Sequence, residues 1–102
     1  MTSKIAGSFL VGFLAWFMWM HQQDNRQGTF KQSWKQFDAK YPNKPKCEEA
    51  IARQVESAAA KAKESQGVKV ETTKSGVTMV SGTIIIIGQY MCYEEGYDPR
   101  NK

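Results

Sequence analysis

The sequence predicts an α+β fold: an N-terminal single transmembrane helix followed by a small domain of two helices and a three-stranded antiparallel sheet. Three observations predict it. Ile5 to Met20 is a run of sixteen residues without a charge. Two later segments place apolar residues at helical spacing, and the last third alternates apolar with polar residues. The boundaries read as an anchor over 1–22, a basic aromatic helix and Pro loop over 23–46, a small domain over 47–97 and a tail over 98–102. The chain has 102 residues, 41% of them hydrophobic, with a formal net charge of +4. That length holds one domain at most, which excludes a doubly wound nucleotide fold or a barrel enzyme. Its patterning excludes full disorder. The part after the apolar run has a thin core that benefits from a staple.

The apolar run is the first element. A sixteen-residue helix reaches about 24 Å, against a hydrocarbon core of about 30 Å. Lys4 can snorkel at one end, and Trp16 and Trp19 suit an aromatic belt at the other. The membrane-facing residues would be Ile5, Phe9, Leu10, Phe13, Leu14, Trp16, Phe17 and Trp19. From Trp16 to Gln27 there is no Ala, Gly or Ser. A small-residue cleavage site is therefore missing, and the run reads as a retained signal-anchor. The basic residues Arg26, Lys31, Lys35 and Lys40 argue for a cytoplasmic C-terminal part. The order of Lys4 and apolar run, the polar flank with Asp24 and the two cysteines argue for export. The reading adopted is a single-pass protein of a bacterial inner membrane with its domain in the periplasm.

The next stretch carries Phe30, Trp34, Phe37 and Tyr41 at i, i+4, i+7 and i+11, one helical stripe with Thr29 as N-cap. Pro42 and Pro45 end it. Between Arg26 and Lys46 lie six basic residues and one acid, Asp38. A second helix is predicted over 47–66, with Cys47, Ile51, Val55, Ala58 and Ala62 inward, Glu48 and Glu49 at its positive end and Gly67 as C-cap.

Strands are predicted within 68–93. Val68, Val70 and Thr72 alternate, as do Val77 and Met79, with a turn at Lys74-Ser75-Gly76. Ser81-Gly82 marks another turn, before a strand holding four consecutive isoleucines. The alternative is a second membrane span over 75–93, a run of nineteen residues without a charge. Its glycines, hydroxyl residues and β-branched density favour strands.

Cys47 and Cys92 are predicted to form a disulfide. Closing a loop of 45 residues stabilises by about 4 kcal/mol in the chain-entropy model. His21 is the single histidine, so neither a metal site nor an activated nucleophile assembles on paper. No phosphate loop is present. The sequence thus predicts no catalytic residues, no cofactor and no metal, and not an enzyme. Scattered basic residues give no nucleic-acid stripe.

What is left is protein binding. The candidate partner-binding residues are Val77, Met79, Ile85, Ile87, Tyr90, Tyr93 and Tyr97, on a supposed open sheet edge and an apolar strand. The predicted partners are the membrane and a membrane or periplasmic protein, with no nucleic acid and no small-molecule substrate. The predicted role is a regulator or inhibitor at the bacterial inner membrane, in the manner of phage or plasmid proteins for lysis control or exclusion. The alternatives are an accessory structural subunit of a larger membrane complex and, with a second span, a pore-forming or membrane-disrupting protein.

Overall fold

A computed structural model describes residues 14–101. Among them the chain forms β1 (Trp16–Asp24), β2 (Lys31–Gln36), α1 (Lys44–Lys63), β3 (Lys69–Thr72), β4 (Gly76–Ser81), β5 (Ile84–Glu94) and a 3-10 turn (Pro99–Asn101). All five strands join one antiparallel sheet in the order β2-β1-β5-β4-β3. The helix crosses one face, over β5, β3, β1 and β4.

This corrects the predicted fold class in three places. The apolar leader continues not as a helix but as β1, which holds Trp16, Phe17 and Trp19. Leu14 precedes β1 and is exposed. Ile5, Phe9, Leu10 and Phe13 lie outside the described residues. Among the described residues no helix is long and apolar enough to cross a membrane. The signal-anchor, the single-pass inner-membrane location and the periplasmic placement built on it therefore lose their support.

The physical reason lies in the position of β1. Met18 faces the helix and is 3% exposed; Trp19 faces the opposite side and is 5% exposed. A strand covered on both faces needs apolar residues at consecutive positions, and such a run imitates a greasy helix.

The second correction concerns Phe30, Trp34, Phe37 and Tyr41, which lie on no helix. Lys31–Gln36 pairs with β1, in the register Asp24↔Lys31 through Trp19↔Gln36. Phe30 is 52% exposed. Here a helical coincidence of four aromatics yields to an exposed edge strand in which Trp34 alone is half-buried. Third, the sheet has five strands rather than three, because these two N-terminal segments join it. The supposed second span is β4, a turn and β5.

The one helix among the described residues, α1, starts about one turn ahead of the predicted position. Asn43 caps it, its side chain accepting from the Lys46 N–H at 2.9 Å. Pro45 fits the first turn, where no intrahelical donor is needed. Cys47, Ala50, Ile51, Val55, Ala59 and Ala62 form its buried stripe. The small residues of that stripe let the helix axis lie close to the sheet. Opposite them sit Met18, Val77, Tyr90 and Cys92. The Cys47–Cys92 disulfide ties the first turn of the helix to the central strand β5.

Candidate protein-binding interface

The two outermost strands differ. β3 spans four residues and lies under the helix; β2 spans six, and the helix packs over its neighbours instead. In an antiparallel ladder the N–H and C=O of one residue point to the same side, alternating along the strand. The Phe37 N–H donates to the Met18 carbonyl at 2.9 Å. That bond fixes the alternation: Lys31, Ser33 and Lys35 aim their backbone groups at β1. Gln32, Trp34 and Gln36 therefore aim theirs outward, and among the described residues no strand pairs with them.

A bulge ends this edge. Tyr41 exchanges backbone hydrogen bonds with Trp16, at 2.8 and 2.9 Å. Asp38, Ala39 and Lys40 therefore stand opposite Phe17 alone. Such a bulge interrupts strand pairing, so the open ladder runs from Lys31 to Phe37.

Side chains sort onto two faces. Trp34 lies on the face away from the helix, stacked on His21 with centroids 4.3 Å apart and edge-on to Trp19 at 6.4 Å. His21 also makes a 2.7 Å hydrogen bond with Gln32. Lys31, Ser33 and Lys35 lie on the helix side, where the Lys35 ammonium sits 5.0 Å from the centre of the Phe37 ring. Among the described residues Lys31, Lys35 and Lys40 form no ion pair, whereas Lys44 and Lys46 reach Glu48 and Glu49 at 4.0 and 3.9 Å.

The residues first assigned to binding are dispersed. Val77 and Tyr90 are buried under the helix, and Met79 is half-buried beside it. Ile85 and Ile87 lie half-buried on the opposite face. Tyr93 packs at a tilt of 35° against Tyr97 there, with ring centres 4.7 Å apart, and Tyr97 is 43% exposed. β4 and β5 are both interior strands. The overlooked edge was β2, whose sequence holds two lysines, one tryptophan and no acid.

The perturbed carboxylates are local. The Arg26 guanidinium beside Asp24 and the Arg100 guanidinium beside Asp98 hold both acids below their usual range, Asp98 at about 2. Each pair is two residues apart and stiffens a turn. Arg100 also lies over the Trp19 ring, 5.4 Å from its centre. A groove of about 530 Å³ beside the disulfide is lined by Lys44, Glu48, Lys74 and Ser75. Among the described residues no three metal-ligating side chains gather. Comparison with protein-family models, curated proteins and solved structures finds no match to this chain.

Proposed function

We propose that this protein is a binding module that captures an extended segment of a partner protein along β2, as a sixth strand of its sheet, and thereby regulates or inhibits that partner. The outward backbone groups of Gln32, Trp34 and Gln36 carry the reading. Such groups are a template for strand addition, in which backbone bonds supply affinity and alternate side chains supply specificity. A strand of six residues offers far less surface than the ~800 Å² per partner of a standard stable interface. That favours transient capture, hence regulation, over permanent assembly as a structural subunit.

The test uses Pro at positions whose N–H points outward. Gln32→Pro and Gln36→Pro remove donors that β1 does not use. A photocrosslinker at Ser33 should join the wild-type chain to its partner and fail to do so in the doubly substituted chain, at an unchanged circular dichroism spectrum. Stoichiometric recovery of a complex that survives the two prolines would overturn the reading and favour a structural subunit held elsewhere.

A further inference from the structure

Resting on the edge reading above, we infer that the segment received by β2 is acidic and alternating: carboxylates on its helix-side positions, apolar side chains on its other face. Two independent features of the edge specify this. Lys31 and Lys35 flank Ser33 on the helix side and, among the described residues, have no ion-pair partner: Asp24, in register opposite Lys31, is held by Arg26 at 3.1 Å. From Asn25 to Cys47 the single acid is Asp38, which lies in the bulge beyond the open ladder. On the opposite face the edge presents Trp34, half-buried and stacked on His21. A strand laid against β2 puts successive side chains on opposite faces. Its residues opposite Lys31 and Lys35 meet ammonium groups, and those opposite Gln32 and Trp34 meet the aromatic face. Carboxylates four residues apart, with apolar residues inside that spacing, fit both faces at once. Opposite charges placed directly across strands are favourable, and like charges are not.

The same division disfavours two other occupants. A second copy of this chain, paired antiparallel along β2, would gather the lysines of both strands on one face, with no acid on either strand to offset them. A single-stranded nucleic acid needs cations beside its stacked bases; here the stacking ring and the lysines are on opposite faces of the strand.

The full-length chain is titrated with the peptide acetyl-Ser-Glu-Val-Thr-Val-Glu-Ser-amide, which sets its two Glu residues against Lys35 and Lys31. A second peptide carries Gln for both Glu, and a third is the acidic peptide N-methylated at both Val residues. Amide shifts of Gln32, Trp34 and Gln36 report binding. The acidic peptide should bind about tenfold tighter than the Gln peptide at low salt, and the gap should close as salt screens the lysines. Lys31→Gln with Lys35→Gln should abolish the preference without abolishing binding. Equal binding of acidic and Gln peptides, with the acidic one lost on N-methylation, would overturn this inference and leave the edge reading intact. Absence of any shift at β2 with every peptide would overturn both. Shifts at Trp34 with oligo-dT alone, or shifts that track protein concentration alone, would assign the surface to nucleic acid or to self-association and overturn it too.

Discussion

His21 and Trp34 face each other in register across β1 and β2, with ring planes 21° apart and centroids separated by 4.3 Å. This pair covers one flank of Trp19, and Trp34 meets that indole edge-on. Trp34→Ala should therefore destabilise the fold by about 1–2 kcal/mol, more than a half-exposed strand residue usually costs. Urea unfolding checks it. A double-mutant cycle with His21→Ala should return a coupling of about 0.5–1 kcal/mol.

The disulfide should matter more than any one side chain. Its sequence separation of 45 residues corresponds to about 4 kcal/mol in the chain-entropy model. Cys47→Ala together with Cys92→Ala should lower the thermal midpoint by well over 10 °C at a domain of this size. The wild type heated with reductant should show the same loss, and an unchanged midpoint would count against the model.

Gly76 is a packing requirement, not a turn requirement. A Cβ there would lie 2.9 Å from the Gly88 carbonyl oxygen, a backbone atom that cannot move aside alone. Gly76→Ala should cost about 1–3 kcal/mol, as overpacking does. At Gly28, in the β1–β2 turn, a Cβ meets nothing but φ is +96°. Gly28→Ala should cost roughly 1 kcal/mol from backbone strain alone. Chemical denaturation of the two variants separates these mechanisms.

The Asp98–Arg100 pair predicts a pH response. Its hydrogen bonds lower the Asp98 carboxyl from an ordinary 3.8 to about 2. A depressed carboxyl pKa means the pair's contribution is complete above 3.8 and is lost as pH falls toward 2. Tail contact with Trp19 should thus persist through mild acid and loosen only near pH 2. A carbon-detected titration of Asp98, read alongside indole fluorescence, tests this. Asp98→Asn should move the fluorescence change out of that window.

Parts of this fold were legible and parts were not, for definite reasons. The helix announced itself through the Cys47-to-Ala62 stripe, since a one-sided amphipathic helix has a distinctive period. The strands after Val68 showed their alternation and the turn at Gly82. The N-terminal strands were hidden by opposite effects. β1 is covered on both faces, so its alternation vanished into an unbroken apolar run. β2 is barely covered at all, so its one large residue, Trp34, lined up with neighbours at helical spacing. The candidate site was missed for the same reason: an edge is defined by which strand lacks a neighbour, and that is a property of long-range pairing rather than of any local motif. The cysteines stood out because two of them, alone, leave one pairing; the structure joins them.

The pairing of β1 with β5 sets the order in which this chain can mature. Trp16 meets Glu94 and Asp24 meets Ile86, so the middle of the sheet is assembled from segments far apart in sequence. Everything from Trp16 to Glu94 must leave the ribosome before that seam closes. Closing it incurs the loop entropy that slows topologies rich in distant contacts. A nascent chain halted before Ile84 would hold β1 between β2 and the helix with its β5-facing ladder unpaired, so the exposed seam is a liability of the unfinished sheet rather than of the finished one.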